Sequence, residues 1–215
     1  MPLILSKVIE NEQAILGVWE VEETIERLVL IANLSESERH PFTNIKNENR
    51  AKQWLVSRIV LNEISGESNL SIIYEDNGRP HIDDGIHHVS ISHTNRFVSV
   101  ILSRDYKVGI DIETIHPRIL KVWPKFISKD ENTFLENSTA LTESLVLIWS
   151  AKEALFKMDG RGSMDFRRNI SIKPFNIQKD GRIFGSISKS GISLDFPLNY
   201  QVIEDHVMVY VSAPI

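Results

Sequence analysis

Two carboxylates stand two residues apart in the sequence VGIDIE, residues 108–113. Successive side chains of a β-strand point to opposite faces, so Asp111 and Glu113 would share one face, and Ile110 and Ile112 the other. Carboxylates this close disfavour joint ionisation unless a positive charge lies between them. The spacing therefore indicates a cation site or, because Asp-x-Glu is a common pattern, only the exposed end of an edge strand.

A third carboxylate belongs to the sequence WSAKEALFK, residues 149–157, which has the pattern of a helix. Glu153 and Lys157 are four residues apart and would share one helix face, with Lys152 beside them. A glutamate before a lysine at this spacing is also an ordinary stabilising pair, worth about 0.2–0.5 kcal/mol. The rest of this helix is apolar, however, and a carboxylate for a metal with lysines for phosphate oxygens would explain the polar face. Mg²⁺ prefers such oxygen ligands and commonly shares its shell with substrate phosphates.

The sequence SISHT, residues 90–94, places Ser92 and His93 where a strand meets a turn. Residues at the end of a rigid strand are often binding residues, and His93 could donate hydrogen bonds to a phosphate. A turn histidine satisfied by the backbone is the alternative. His87 and His88 invite a zinc site, but adjacent strand residues face opposite ways, so at most one could join His93 and zinc is not expected.

Helical periodicity and turn residues outline the elements that must position these side chains. Helices are predicted over residues 43–65, 128–136 and 142–162, the second with Ser128 and Glu131 at capping-box spacing. A strand that runs into a turn at Asn77-Gly78 is predicted over 69–80, and a hairpin over 87–103. Further strands are predicted after Asn169, with breaks at Asp180-Gly181, Lys189-Ser190-Gly191 and Glu204-Asp205. Two long helices with mainly hairpin-joined strands favour an α+β fold over a βαβ array.

Composition bounds the possible functions. The 215 residues are 42% hydrophobic and 25% charged, as in an ordinary folded protein, and a net charge of −5 argues against a broad nucleic-acid-binding surface. There is no cysteine, which excludes disulfides and thiolate metal sites and fits a reducing compartment. The opening MPLIL is too short for a signal peptide, and no apolar run approaches the length of a membrane span. We therefore expect a cytoplasmic protein with no membrane partner.

Taken in order, the segments NGRP, SISHT, VGIDIE, FISKDE and WSAKEALFK resemble the 4′-phosphopantetheinyl transferases, specifically the monomeric type that activates surfactin synthetase. The resemblance covers roughly residues 35–175 and is carried mainly by GIDIE together with W-S-x-K-E-x-x-x-K. It implies an enzyme that transfers the 4′-phosphopantetheine arm of coenzyme A to a serine of an apo acyl or peptidyl carrier protein, depends on Mg²⁺ and releases 3′,5′-ADP. It also implies a monomer of two similar α+β halves, residues 1–105 and 106–215, related by a pseudo-two-fold with the active site in the cleft between them.

The resemblance assigns roles to individual residues. Asp111, Glu113 and Glu153 match the magnesium ligands of the family. The residues that match its contacts to coenzyme A are Arg50 at the 3′-phosphate, Gly78 and Arg79 at the nucleotide, and Ser92, His93, Lys152 and Lys157 at the phosphates.

The same residues suggest a mechanism. Attack of a serine hydroxyl on the β-phosphorus requires charge neutralisation on the pyrophosphate, which Mg²⁺, Lys157 and His93 would supply. The serine proton needs an acceptor, for which Glu153 is the first candidate and Glu131, which aligns near the reacting centre, the second.

Departures from the family pattern leave two other functions open. This chain has SESERHPF before the first long helix, with Arg39 in place of several lysines, and the segment SMDFRRN has no clear counterpart in the family. A magnesium-dependent nucleotide phosphohydrolase would use the same carboxylates, but it would not need Arg50, Arg79 and His93 at a 3′-phosphate. A non-catalytic module that binds coenzyme A or a carrier would keep the basic contacts without needing three carboxylates and Lys157.

Overall fold

A computed structural model describes residues 3–9, 14–67, 70–136, 138–160 and 162–215 of the chain. In this structure, the chain divides into two units, Met1–Tyr106 and Lys107–Ile215. Each unit contains sheets and helices, so the predicted mixture of helices and strands is confirmed. Asn69, at which a strand was expected to begin, and the first two residues of MPLIL lie outside the described residues. None of the helices in the described ranges has the length and hydropathy that a membrane span requires.

The N-terminal unit is built on an antiparallel sheet with the strand order β1-β2-β6-β5. Its strands are β1 (Leu3–Ile9), β2 (Ala14–Glu20), β5 (His88–His93) and β6 (Phe97–Ser103). The predicted hairpin over 87–103 is therefore present, and a hydrogen bond from Thr94 N to Phe97 O (2.8 Å) closes its turn. A second, two-stranded hairpin joins β3 (Ile72–Tyr74) to β4 (Pro80–Ile82), with Gly78 at a positive φ of 83° in the turn between them.

The described residues of this unit also form the helices α1 (Ile25–Ala32), α2 (Glu36–Thr43) and α3 (Glu48–Ser65). Helix α3 begins five residues later than predicted, because the Asn47 side chain caps it by accepting a hydrogen bond from Arg50 N (2.9 Å). It ends at Gly66, as expected from the sequence, in a left-handed conformation. Its apolar side packs on the sheet at Gly17, where an added Cβ would lie 2.6 Å from Ile64 Cγ2.

The C-terminal unit contains a five-stranded sheet with the order β7-β11-β10-β9-β8. Its strands are β7 (Tyr106–Thr114), β8 (Ile170–Ile172), β9 (Asp180–Lys189), β10 (Ile192–Ile203) and β11 (His206–Pro214). Its helices are α4 (Ile119–Val122), which continues into a 3₁₀ turn (Trp123–Lys125), α5 (Lys129–Leu135) and α6 (Leu141–Asp159). Helix α6 packs on the sheet, mainly against β11, and supplies much of the core of this unit.

The break predicted at Asp180-Gly181 is wrong, because both residues belong to β9 and pair with Gln201 and Tyr200 of β10. Gly181 packs under the Tyr200 ring, where an added Cβ would lie 3.1 Å from Cε1. The glycine therefore makes room for an aromatic ring instead of forming a turn. The breaks predicted at 189–191 and at 204–205 coincide with the two turns that flank β10.

Candidate active site

The candidate site begins where strand β7 touches helix α6. A Cβ added to Gly109 would overlap the carbonyl oxygen of Ala154 and lie 3.0 Å from Met158 Cβ, so only glycine permits this approach. Asp111 and Glu113 follow Gly109 at intervals of two and therefore share its face of the strand. The close approach thus brings both carboxylates to the helix that carries Glu153 and Lys157.

Side chains of α6 hold the two strand carboxylates in place. Lys157 Nζ donates to Asp111 Oδ1 (2.8 Å) and to the carbonyl oxygen of Ile110 (3.1 Å). Trp149 Nε1 donates to Glu113 Oε1 (3.1 Å). Asp111 is only 3% exposed although β7 is an edge strand of its sheet, so it is not an exposed strand end.

The charge of Asp111 acts on both glutamates of the site. The pKa of Glu153 is raised to about 7, chiefly by burial and next by the charge of Asp111, while Lys157 lowers it and Glu113 raises it. Burial and Asp111 also raise the pKa of Glu113, against the hydrogen bond from Trp149 and the charge of Lys157. Asp111, Glu113, Glu153 and Lys157 therefore form one cluster, which we call the carboxylate cluster, with more carboxylates than cations.

The donor set of the carboxylate cluster suits Mg²⁺, because it consists of hard carboxylate oxygens, and the charge of Asp111 raises the pKa of both Glu113 and Glu153. Within the described part of the chain, however, no group of three or more histidine, aspartate or glutamate side chains is already arranged around a common metal position. The Lys157 ammonium is the positive group that contacts Asp111 in this arrangement. The predicted magnesium ligands are thus brought together as neighbours, and their role as ligands stays a prediction.

Lys152 and Glu131, two of the predicted site residues, lie inside the fold. Lys152 is 0% exposed and donates to Glu131 Oε2 and to the carbonyl oxygens of Phe126 and Phe166, each at 2.8 Å. An ammonium has three N–H donors, so none remains for a ligand. The predicted contact of Lys152 with phosphate oxygens is not compatible with this geometry. Lys152 and Lys157 are five positions apart in the sequence, which places them about 140° apart around the helix.

Glu131 is similarly enclosed, with 1% exposure. Its Oε2 accepts from Ser128 N (2.7 Å) and from Lys152, and its Oε1 accepts from Ile172 N (2.8 Å). The predicted capping box is present, since Ser128 Oγ accepts in turn from Glu131 N (3.2 Å). Both oxygens are occupied inside the protein, so this geometry does not fit the predicted role of Glu131 near the reacting centre.

An apolar cleft of about 1260 Å³ adjoins the carboxylate cluster within the C-terminal unit. We call it the apolar cleft and define it by Phe126, Trp149, Glu153, Phe156 and Phe166. Residues 163–167 form one wall, so the segment without a family counterpart in the sequence is part of the site. Glu153 belongs to both the carboxylate cluster and the apolar cleft.

A separate pocket of about 690 Å³ lies in the N-terminal unit, at the N-terminus of α3. We call it the helix-end pocket; its lining includes Arg50, Gly78 and His93, three of the predicted nucleotide-binding residues. Gln53 Nε2 donates to Thr94 O (2.9 Å) and so fixes α3 against the turn that follows His93. An arginine and a histidine at a helix N-terminus favour an anion, because the dipole there is also positive.

The helix-end pocket also contains a cation that was not singled out from the sequence. Lys46 lines it and precedes Arg50 by four residues, a spacing that was available as a signal. The roles predicted for Ser92 and Arg79 stay predictions. Ser92 is buried in β5, on the opposite face from His93, and neither Ser92 nor Arg79 is part of the pocket lining.

Comparison with known proteins finds a family match in the C-terminal unit. Residues 107–211 match the 4′-phosphopantetheinyl transferase superfamily. This segment, just under half of the chain, is similar to that superfamily. The matched residues contain the whole carboxylate cluster and the whole apolar cleft, whereas the helix-end pocket lies outside them.

Individual relatives from this superfamily match over longer and shorter stretches. The chain is 27% identical to the 4′-phosphopantetheinyl transferase gsp of Aneurinibacillus migulanus, in an alignment of 159 residues that covers 70% of this chain and 64% of the relative. It is 31% identical to the 4′-phosphopantetheinyl transferase Sfp of Bacillus subtilis (strain 168), in an alignment of 120 residues that covers 54% of this chain and 52% of the relative. The chain thus spans between half and two thirds of the length of these two superfamily members.

Proposed function

We propose that this chain is a 4′-phosphopantetheinyl transferase that moves the phosphopantetheine arm of coenzyme A onto a serine of an apo carrier protein. The observation that carries the proposal is the carboxylate cluster, with Asp111 and Glu113 held beside Glu153 and Lys157 inside the segment that matches the superfamily. The co-substrate is coenzyme A, the partner is an acyl or peptidyl carrier protein, and the nucleotide product is 3′,5′-ADP.

Asp111, Glu113 and Glu153 would hold Mg²⁺ in this proposal. When bound, Mg²⁺ supplies positive charge to the pyrophosphate and to the phosphate oxygens that gain charge during transfer. Lys157 uses two of its three donors, on Asp111 and Ile110, and so has one N–H left for a phosphate oxygen. Its side chain is 26% exposed, which gives a ligand access to that donor.

The reaction breaks the bond between the β-phosphorus and the oxygen that joins it to the 3′,5′-ADP leaving group. A new bond forms from the serine oxygen to the same phosphorus, and the serine hydroxyl loses its proton. Glu153 is the proposed acceptor of that proton, because it is the carboxylate that faces both the cluster and the apolar cleft. Glu131 is not assigned this role, since its oxygens are bonded within the fold.

The helix-end pocket is the proposed site for the 3′-phosphate end of coenzyme A. Arg50, Lys46 and His93 provide cationic or donor groups at one helix N-terminus, and Trp54 and Tyr74 add aromatic surface. A nucleotide phosphohydrolase would have no use for a 3′-phosphate contact, so this pocket favours the transferase over it. The pseudo-two-fold relation of the two halves, the cleft between them, the monomeric state and the cytoplasmic location stay predictions from the sequence.

The deciding experiment is intact-mass spectrometry of an apo carrier protein incubated with this chain and coenzyme A. We expect the carrier to gain the mass of one phosphopantetheine when Mg²⁺ is present, with release of 3′,5′-ADP. With a chelator in place of Mg²⁺, the carrier should gain no mass. Coenzyme A binding without transfer to several unrelated carriers would contradict the proposal and favour a binding module. Release of phosphate from nucleotides without transfer would favour the phosphohydrolase.

A further inference from the structure

We propose that Lys152 and Glu131 form a positioning pair that sets the shape of the apolar cleft beside Glu153, without touching a substrate. The kinetic part of this inference rests on the proposed transferase function, whereas its structural part does not. The pair joins five segments of the C-terminal unit: helix α5, helix α6, the segment before α5, the wall at 163–167 and strand β8. The proposed phosphopantetheine transfer does not require any of the hydrogen bonds that join these segments.

The contacts of Lys152 point to a structural anchor with directional bonds. Its ammonium is fully buried, and each of its three hydrogen bonds reaches a different segment, at Glu131, Phe126 and Phe166. Burial lowers the pKa of Lys152, and the Glu131 carboxylate opposes that shift. The ammonium therefore pairs with Glu131 and uses its other two donors to fix two backbone carbonyls.

Glu131 extends the anchor to the sheet. Its Oε1 accepts from Ile172 N of β8 at 2.8 Å, and its Oε2 accepts from Ser128 N at the start of α5. One carboxylate thus joins a strand, a helix start and the ammonium of Lys152. An apolar pair of similar volume could fill the same space, but it could not bond these backbone groups.

The anchored carbonyls belong to the walls of the apolar cleft. Phe126 and Phe166 both line it, and both contact Trp149, with ring centroids at 5.0 and 5.5 Å. Trp149 in turn donates its N–H to Glu113. A continuous set of contacts therefore runs from the buried pair through both aromatic walls and Trp149 to a carboxylate of the cluster. Displacing the walls would move Glu113 and change the space in front of Glu153.

A structural readout tests the pair without requiring any activity. In protein labelled with 5-fluorotryptophan, the ¹⁹F resonance of Trp149 is assigned by Trp149→Phe. Lys152→Met is expected to shift or broaden this resonance and to leave that of Trp54, in the N-terminal unit, unchanged. The double variant Lys152→Met/Glu131→Gln leaves no unpaired charge and keeps a capping-box residue at position 131, so it should fold even if the single variant does not. An unmoved Trp149 resonance in a folded variant, or loss of folding in both variants, would overturn the proposal.

Steady-state kinetics then separate positioning from direct participation. Each single variant is expected to lower kcat by about 10- to 100-fold, as a misplaced site does, with the KM for coenzyme A within about twofold of the wild type. The kcat of the double variant should be no lower than that of the slower single variant, because both changes remove the same buried pair.

A raised KM for coenzyme A with unchanged kcat would mean that Lys152 contacts phosphate. The two residues would act separately if the fold-loss in kcat of the double variant were the product of the two single fold-losses. The same would follow if only Glu131→Gln lowered kcat. If the wild type transfers nothing, the proposed function fails while the fluorine experiment still decides the positioning role.

Discussion

Gly109 of strand β7 lies directly against the backbone of Ala154 in helix α6, with no room for a Cβ between them. We expect Gly109→Ala to force the strand and the helix apart, because the obstacle is a backbone carbonyl that cannot rotate away. Overpacking in a core typically costs about 1–3 kcal/mol, and a backbone clash should reach about 3 kcal/mol or more. Urea denaturation followed by circular dichroism measures this loss.

A second glycine separates the clash from the conformational cost of alanine. Gly191, in the turn between β9 and β10, has a φ of +80° and no atom within 4 Å of an added Cβ. Gly191→Ala should therefore lower the free energy of unfolding by only about 1–2 kcal/mol, which is the conformational cost of alanine in the left-handed region. Equal losses in the two variants would contradict the close approach of Gly109 to α6.

Lys157 is the cation of the carboxylate cluster, and we expect its loss to affect the chemical step. Lys157→Met should lower kcat by about 10²- to 10³-fold, as removal of one preorganised donor does in other enzymes. Lys173→Met, which breaks an exposed ion pair with Asp195, serves as the control and should leave transfer unchanged. Stopped-time mass spectrometry of the carrier gives both rates. Transfer by Lys157→Met at the wild-type rate would remove this residue from the proposed mechanism.

Arg50 provides a test of the helix-end pocket that is independent of the carboxylate cluster. Arg50→Ala should weaken coenzyme A binding by about 10- to 100-fold, the value of a charge-assisted hydrogen bond, and affect dephospho-coenzyme A much less. Isothermal titration with both ligands measures the difference. Lys52→Ala, on the same helix and paired with Glu48 at 3.2 Å, is the matched control and should bind both ligands as the wild type does. Equal weakening of both ligands by Arg50→Ala would place the 3′-phosphate elsewhere.

The sequence was sufficient to predict the elements whose patterns are local. The hairpin over 87–103 and the helix over 142–162 were found because alternation and helical periodicity depend only on nearby residues. The cap at Asn47 was missed, and the start of helix α3 was placed five residues too early. Asp180-Gly181 was mistaken for a turn because the contact of Gly181 with Tyr200 depends on strand pairing.

The candidate site shows the same division between local and distant information. The carboxylates of VGIDIE and the polar face of α6 could be found from spacing, because each lies within one element. The inward direction of Lys152 depends on carbonyl groups of Phe126 and Phe166, which are 26 and 14 residues away in the sequence. No pattern within WSAKEALFK reports those partners. The cavity beside Glu153 likewise depends on residues 163–167, whose placement is a matter of tertiary packing.

Asp84 gives a prediction for acid stability that does not involve the site. Burial, the largest single influence, raises the pKa of Asp84, but its hydrogen bonds with His87 and Ile86 together lower it from the model-compound value of 3.8 to about 2. The Asp84 carboxylate accepts from Ile86 N at 2.9 Å and from His87 N at 3.0 Å, and it also contacts His87 Nδ1. Because the folded-state pKa lies below the unfolded-state value, the ionised form stabilises the folded protein above pH 3.8, and this contribution disappears as the pH falls towards 2.

Asp84→Asn should therefore reduce stability near pH 6 and make it less dependent on pH between about 4 and 2, since the group that titrates is gone. Thermal unfolding of both proteins at a series of pH values measures the difference, which should shrink as the pH falls through this window. Asp83→Asn changes the exposed neighbour and should leave the pH dependence as in the wild type. A difference between wild type and Asp84→Asn that grows on acidification would reverse the sign of the linkage and contradict the hydrogen-bonded state of Asp84.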